Sequence, residues 1–189
     1  MNLPAEIFRA YDIRGIVGKT LTPAGVFEIG RALGALGLER NAPNVGARTA
    51  FAVGRDGRLS GPELASALMD GLTAAGADVI ELGMVPTPVA YFAAHHLGCA
   101  SAVMVTGSHN PPAYNGLKMV VAGETLFGEA IQALRRRIEA GVPASAHGKR
   151  TSEKVLDAYV DRIAGDVEGW AEVGGRFRIG ESEVVIAGI

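Results

Sequence analysis

The sequence predicts an α/β fold, specifically a three-layer α/β/α sandwich around a mixed, mostly parallel sheet. Short apolar runs of strand length alternate with longer segments in which apolar residues recur at helical spacing. The runs 102–105 and 117–121 are joined by a short link without helical periodicity, so we expect an antiparallel pair there. The apolar content of 48% is ample for a buried core.

The first strand is predicted from Phe8 to Val17, where it enters an exposed turn. Thr22-Pro23 indicates the start of a helix, with Thr as the capping residue and Pro in the first turn. The helical pattern ends near Gly37, because glycine commonly terminates a helix. Residues 39–49 are polar and turn-prone and predict a loop.

The second strand is predicted over 50–53. Ser60-Gly61-Pro62-Glu63 has the pattern of a capping box and predicts the start of a second helix. That helix has a buried stripe of leucines and ends at Gly76; the stripe consists of Leu64, Leu68 and Leu72.

Further strands are predicted over 78–82, 102–105 and 117–121, with a helix from Thr87-Pro88 to about Leu97. A last helix of this first region is predicted over 125–140. These elements predict one domain over residues 1–141.

A linker is predicted over 142–151, and residues 152–189 are expected to begin a second, similar α/β domain. A helix is predicted over 152–163 and a buried parallel strand over 183–189. A parallel strand needs a crossover and a partner, and none follow in the sequence. We therefore expect the chain to be truncated within that second domain.

Composition argues against several partners. With 18 basic and 20 acidic residues the net charge is −2, which gives no support for nucleic acid or an anionic membrane as partner. No run approaches the roughly 20 apolar residues of a membrane span, and the first residues do not form a signal peptide. Cys99 is the only cysteine and is expected to be a packed thiol. We expect a cytoplasmic protein.

The polar loop after residue 105 and the start of the next strand contain the candidate reactive side chains. Ser108 offers a hydroxyl, and His109 and Lys118 offer cations or proton donors nearby. This set suits an oxygen that accepts and returns a phosphoryl group, since phosphoryl transfer needs mainly positioning and positive charge. It fits a serine hydrolase poorly, because no G-x-S-x-G elbow is present. An ordinary strand-connecting loop is the alternative.

Four sequence strings support a resemblance to a known family. TGSHNP (106–111) with YNGLK (114–118) resembles the active-site loop of the α-D-phosphohexomutases, and FRAYDIRG (8–15) resembles their opening signature. VGRDGRLSGPEL (53–64) is similar to a further motif of that family. The AYDIRG form resembles the phosphomannomutase/phosphoglucomutase branch, with the phosphoglucosamine mutase branch as the alternative.

The resemblance implies the N-terminal catalytic domain of an enzyme that interconverts hexose 1-phosphate and hexose 6-phosphate of mannose or glucose. Ser108 would carry a phosphate, and a hexose 1,6-bisphosphate would be the intermediate. Mg²⁺ would bind the phosphoserine together with three aspartates of a DGDxDR-like motif, which this sequence lacks. The remaining domains of a longer chain would supply those ligands, so the fragment alone is expected to be inactive.

The resemblance also assigns roles to individual residues. Lys118 would transfer the proton of the sugar hydroxyl, Arg14 would face the transferring phosphoryl group, and Tyr11 and His109 would contact substrate. The alternatives are a solvated lysine, a salt bridge between Arg14 and Asp12, and a tyrosine that anchors the core edge. Six residues are expected to shape the loop: Thr106, Gly107, Asn110, Pro111, Asn115 and Gly116.

Two further expectations remain open. Arg55, Asp56 and Arg58 would form the floor of the cleft or, equally, surface ion pairs. The chain could also be a non-catalytic domain that binds phosphosugars without transferring phosphate.

Overall fold

The computed structural model describes residues 2–41, 49–143, 145, 147–166, 176–179 and 182–185. The chain forms two compact units, residues 1–154 and 155–189. Among the described residues, no helix combines the length and the apolar character needed to cross a bilayer. Cys99 is buried, as expected of a packed thiol.

The first unit is built on a seven-stranded sheet with the order β1-β5-β4-β2-β3-β7, and β6 pairs with β5 outside this path. The strands are β1 Ile13–Ile16, β2 Ala50–Arg55, β3 Asp78–Met84, β4 Ala102–Val105, β5 Tyr114–Val121, β6 Glu124–Thr125 and β7 Arg150–Ser152. β2 pairs in parallel with β3 and β4, and β3 with β7. β5 is antiparallel to β1, β4 and β6, so it runs against all other strands. The mixed, mostly parallel sheet and the antiparallel β4–β5 pair are thus confirmed.

Helices cover both faces of this sheet and confirm the three-layer sandwich. They are α1 Pro23–Asn41, α2 Gly61–Ala74, α3 Thr87–His96 and α4 Glu129–Ala140. Side chains alternate along a strand, so Phe51 and Val53 of β2 join the apolar cluster with α1, α2 and α4. Gly54 faces the other way, where a Cβ would lie 2.7 Å from Val85 Cγ2 and 3.6 Å from Ala90 Cβ of α3.

The first helix begins where predicted but does not end at Gly37. Thr22 Oγ1 accepts a hydrogen bond from the Gly25 N–H at 3.2 Å and caps the helix. Gly37 lies inside the helix because the ring of Phe51 packs against it; a Cβ there would lie 2.7 Å from the ring. The glycine therefore serves packing and not termination. Of the predicted loop 39–49, residues 42–48 lie outside the described residues.

The capping box predicted at Ser60 is wrong. Ser60 has helical dihedral angles, φ −77° and ψ −10°, and its side chain makes no capping bond. The Ser60 hydroxyl instead accepts a hydrogen bond from Asn115 Nδ2 at 2.9 Å. The leucine stripe Leu64, Leu68 and Leu72 of this helix is buried as predicted.

Two other elements are shorter than predicted. Before β1 the chain forms a 3₁₀ turn over Ala5–Ile7, and Phe8 contributes a single bridge to Ile13. α4 begins at Glu129 and not at Thr125, because Glu124–Thr125 pairs with β5 and Gly128 has a φ of 51°. Gly128 N–H donates to the carbonyl of Ala10 and ties the start of α4 to the segment before β1.

The end of the predicted linker lies in the sheet, since Arg150–Ser152 pairs with β3. The Glu153 N–H adds a bond to the Glu81 carbonyl at 3.1 Å, so the helix predicted from residue 152 starts later. In the second unit α5 spans Leu156–Asp166, and β8 Arg176–Ile179 pairs with β9 Ser182–Val185. This pairing is antiparallel, so the predicted parallel strand is wrong over 183–185; residues 186–189 lie outside the described residues. That residues 152–189 begin a second domain stays a prediction.

Glycines allow α1 and α2 to pack with their backbones in contact. A Cβ on Gly71 would overlap the Phe27 carbonyl oxygen and lie 3.0 Å from the Arg31 amide nitrogen. We expect Gly71→Ala to lower the free energy of unfolding by about 1–3 kcal/mol, because overpacking outweighs the higher helix propensity of alanine. Denaturant unfolding measures this change.

Gly165 of α5 is the matched control, because a Cβ there would meet nothing within 4 Å. Gly165→Ala should leave stability unchanged or raise it slightly. Equal stability of the Gly71→Ala variant and the parent would contradict the close-packing interpretation.

Candidate functional site

The polar loop leaves the sheet where the parallel strands β2 and β4 end. Thr106 is buried and continues β4, since its N–H donates to the Gly116 carbonyl at 2.9 Å. Ser108 is exposed and has a φ of 50°, in the left-handed region that non-glycine residues seldom adopt. Its hydroxyl therefore stands at the rim of the sheet on a backbone that the surroundings must hold in place.

Asp56 directly follows β2 and binds the first residues of the loop. Its Oδ2 accepts hydrogen bonds from the Thr106 hydroxyl at 2.8 Å and from the Gly107 N–H at 3.0 Å. Its Oδ1 accepts from the Arg58 N–H at 3.0 Å. The Thr106 Oγ1 in turn accepts from the Ser108 N–H at 2.8 Å.

Arg58 binds the remainder of the loop from the same side. Its guanidinium donates to four backbone carbonyls, those of Ser108 (3.0 Å), Asn110 (2.6 Å), Pro111 (2.8 Å) and Tyr114 (3.0 Å). Its Nε lies 3.4 Å from Asp56 Oδ2, and its side chain is 17% exposed. A Cβ on Gly107 would overlap the guanidinium, so the glycine makes room for it.

Arg14 binds the start of the loop from strand β1. It lies on β1 with only 3% of its side chain exposed and forms an ion pair with Asp12. It also donates to the Thr106 carbonyl at 3.1 Å. The pairing with Asp12 that the sequence left as an alternative is present, and Arg14 binds the residue that precedes Gly107.

Two asparagines fix the ends of the loop. Asn110 Nδ2 donates to the Gly107 carbonyl at 3.2 Å. Asn115 is fully buried, and besides the Ser60 hydroxyl it bonds the Gly116 N–H through Oδ1 at 2.9 Å. A Cβ on Gly116 would overlap the Ile13 carbonyl oxygen, so this glycine allows β1 and β5 to approach.

The other residues predicted for the site are less closely joined. His109 Nδ1 lies 3.4 Å from Ser108 Oγ, at the outer limit of a hydrogen bond. Lys118 is half-buried on β5 opposite Met104 of β4. In the described part of the chain, no hydrogen bond or ion pair joins Lys118 to Ser108 or Arg14. Tyr11 is 77% exposed.

The side chain of Tyr91 on α3 was not identified from the sequence. Burial raises the pKa of its phenol, and the negative charge of Asp12 raises it further. This places a neutral phenol near the Asp12–Arg14 pair, on the α3 face of the sheet. A tyrosine in the middle of a helix carries no sequence signal that it lies near Asp12.

The role of Arg58 in holding the loop was also not predicted from the sequence, which indicated only the floor of the cleft or a surface ion pair. Its position two residues after Asp56, just past the end of a parallel strand, was a usable signal, because such ends converge on ligands. An open groove of about 590 Å³ lies beside it, lined by Val17, Asp56, Gly57, Arg58, Leu59, Ser60, Asn110 and Pro112. Throughout the described residues, no group of three or more His, Cys, Asp or Glu side chains is placed to hold a metal ion.

Comparison with known proteins agrees with the resemblance seen in the motifs. A family model described as phosphoglucomutase/phosphomannomutase, alpha/beta/alpha domain I, matches residues 5–144. A phosphomannomutase/phosphoglucomutase of Pseudomonas aeruginosa is 56% identical over 166 residues, which are 88% of this chain and 35% of that protein. A phosphoglucomutase of Neisseria gonorrhoeae is 48% identical over 169 residues, again 88% of this chain and 35% of the relative.

A solved structure shows the same fold. The crystal structure of a phosphoglucomutase/phosphomannomutase family protein from Burkholderia thailandensis superimposes with a TM-score of 0.79 at 48% sequence identity. The match covers 87% of this chain and 36% of that one. The chain thus spans about a third of the length of the relatives it matches.

The loop geometry predicts a specific response to Arg58→Lys. A lysine ammonium has three N–H donors on one nitrogen and cannot donate to all four carbonyls that Arg58 binds. We expect the free energy of unfolding to fall by about 1–3 kcal/mol and the amides of 107–110, 113 and 114 to exchange faster. Hydrogen–deuterium exchange resolved by mass spectrometry measures both. Arg55→Lys is the matched control, because Arg55 makes one long bond, 3.4 Å, to the Asp56 carbonyl; equal effects at both positions would contradict the role of Arg58.

The Tyr91 phenol should ionise above its ordinary pKa of 10.0. Because its folded-state pKa is raised, its stabilising contribution is present below about pH 10 and is lost as the pH rises through the folded value. Absorbance titration of the parent against Tyr91→Phe isolates this phenol. Asp12→Asn should lower the pKa part of the way, since burial remains; ionisation of Tyr91 at or below 10 would disprove the assignment.

Proposed function

This chain belongs to the phosphoglucomutase/phosphomannomutase family, and from that premise we propose that Ser108 carries the phosphoryl group of a phosphohexomutase. The enzyme would interconvert hexose 1-phosphate and hexose 6-phosphate. Since the relatives are about three times as long, the activity is assigned to a full-length enzyme in which this chain is the first domain. Mannose and glucose are both proposed as the hexose, as the names of the relatives give both.

The observation that carries the proposal is the exposed Ser108 hydroxyl on a loop whose backbone is bound on both sides. The Ser108 N–H is bound by Thr106 and its carbonyl by Arg58. Phosphoryl transfer depends on an in-line approach of oxygen to phosphorus, so a nucleophile with a fixed backbone and a free side chain suits it.

The proposed reaction runs in two transfers. The hydroxyl oxygen of a hexose phosphate attacks the phosphorus of phospho-Ser108, a new O–P bond forms, and the bond from phosphorus to Oγ breaks. The hydroxyl proton passes to Lys118, and His109 supplies the proton that Oγ takes up. The hexose 1,6-bisphosphate then reorients in the site, Oγ attacks the phosphorus of its other phosphate, and the bond from that phosphorus to the sugar oxygen breaks. Lys118 returns its proton to the sugar oxygen, and His109 takes back the proton of Oγ.

The supporting residues have distinct proposed roles. Lys118 would accept the proton of the sugar hydroxyl. Arg14 would supply positive charge beside Thr106. Its bonds to Asp12 and Thr106 use two of its five N–H groups, and the other three are not used in these bonds. Tyr11 is exposed and available to contact the sugar.

Magnesium is proposed for the full-length enzyme, where it would neutralise the phosphate charge. The described residues do not by themselves fit a Mg²⁺ site. The carboxylate of Asp56 already accepts bonds from Thr106, Gly107 and Arg58, and among the described residues no group of three or more His, Cys, Asp or Glu is placed to hold a metal ion. We therefore propose that the phosphoserine contributes one ligand and that the others lie elsewhere. The 189-residue chain alone is accordingly proposed to be inactive.

A phosphosugar-binding domain without transfer is the second candidate. It is favoured by the commitment of both Arg14 and Arg58 to the loop backbone, which leaves the His109 ring nitrogen as the described side-chain nitrogen next to Oγ. Binding without transfer predicts no phosphate on Ser108.

Mass spectrometry of the full-length enzyme tests the proposal. The peptide that contains Ser108 should carry about 80 Da extra, the mass of one phosphoryl group, and an isotopic label in that group should pass to the hexose phosphates on incubation with hexose monophosphate. Ser108→Ala should lower kcat by about a thousandfold or more, because the phosphoryl carrier is gone. Ser152→Ala, at an exposed serine, is the control and should change neither. A label that stays on Ser108 through turnover, or full activity of Ser108→Ala, would disprove the transfer.

A further inference from the structure

We infer that Asp56 and Thr106 are positioning residues that hold Ser108 in the conformation needed for transfer. The inference rests on the proposed function of Ser108. The Asp56 carboxylate would act on Ser108 indirectly. It orients the Thr106 hydroxyl, and that hydroxyl binds the Ser108 backbone N–H.

The first step is the strain at Ser108. Its φ of 50° is unfavourable for a residue with a Cβ, and such a conformation persists when surrounding bonds impose it. Packing of the Ser108 side chain cannot impose it, because that side chain is exposed. Backbone bonds around Ser108 impose it: those of its own N–H and carbonyl, together with the turn bond from the Asn110 N–H to the Gly107 carbonyl at 3.0 Å.

The second step is the direction of one proton. An ionised carboxylate accepts hydrogen bonds and donates none, so the Thr106 hydroxyl must point its proton at Asp56 Oδ2, 2.8 Å away. The Thr106 lone pairs are then left to the Ser108 N–H, also at 2.8 Å. The charge of Asp56 thus sets Thr106 as an acceptor for Ser108.

The third step is that further hydrogen bonds fix both ends of this arrangement. Asp56 Oδ2 also binds the Gly107 N–H, and Oδ1 binds the Arg58 N–H, so the carboxylate cannot rotate without losing three partners. Arg58 binds the Ser108 carbonyl on the other side. Two adjacent peptide groups are therefore held, and the direction of the Ser108 Cα–Cβ bond, from which Oγ extends, follows from them.

Thr106→Val tests this bond, because valine keeps the shape and removes the hydroxyl. Thr106→Ser restores the hydroxyl, and Asp56→Asn keeps the size of Asp56 but permits the amide to donate and so reverse the relay. In the 189-residue chain, exchange of the Ser108 amide should be about tenfold faster or more in Thr106→Val and Asp56→Asn, and near the parent rate in Thr106→Ser.

The full-length enzyme gives the second readout. Thr106→Val and Asp56→Asn should lower kcat by about 10–100-fold with little change in KM, because orientation of the reacting oxygen is lost while binding is not. Thr106→Ser should stay within about threefold of the parent. Circular dichroism of the same variants shows whether they are folded; should Thr106→Val unfold, Asp56→Asn and Thr106→Ser carry the test.

The outcomes separate this inference from the proposed function. Unchanged Ser108 exchange in Asp56→Asn, or equal loss of kcat in Thr106→Ser and Thr106→Val, overturns the relay while phosphorylation of Ser108 stands. If Ser108 of the parent never carries phosphate, the proposed function fails, and the exchange data alone decide whether the relay holds the loop.

Discussion

The architecture of the site depends on the ion pair between Asp56 and Arg58, which lies just past the end of β2. Asp56 and Arg58 lie two residues apart, and between them they bind the backbone of the loop from Gly107 to Tyr114. A loop rich in Gly, Asn and Pro has few apolar contacts with which to hold itself. Charged groups that bond its carbonyls and amides replace those contacts, and charge-assisted bonds are the stronger kind.

The remainder of the fold brings that pair to the loop. Parallel pairing of β2 with β4 places Arg55 beside Val105, so the residues that follow both strands meet at one edge of the sheet. The antiparallel β5 returns the chain from the loop into the same sheet and places Lys118 opposite Met104. The backbone contact of α1 with α2, made possible by glycine, keeps these two helices of the same layer close together.

Sequence patterns located α1 to α4 and β1 to β5 because those patterns are local, whereas β6 and β7 were not predicted. Apolar spacing identified α2 and its leucine stripe, and the run 102–105 agrees with β4 residue for residue. The errors occurred where one residue type serves two purposes. Gly37 has the chemistry of a helix end but makes room for Phe51, and Ser60 has that of a cap but binds Asn115. The strand at 183–185 was found, but its direction depends on a partner, β8, that the pattern of one strand does not specify.

The sequence by itself determined the α/β class, the family, and the loop that holds Ser108, since each is written in periodicity or in a contiguous motif. The tertiary structure alone decided how the loop is held. Arg58 bonds carbonyls 50 to 56 positions along the chain, and Asp56 bonds the Thr106 hydroxyl 50 positions away. Hydrogen bonds reach about 3 Å and are directional, so partners so far apart in sequence are chosen by the path of the folded backbone and not by the residues adjacent to them.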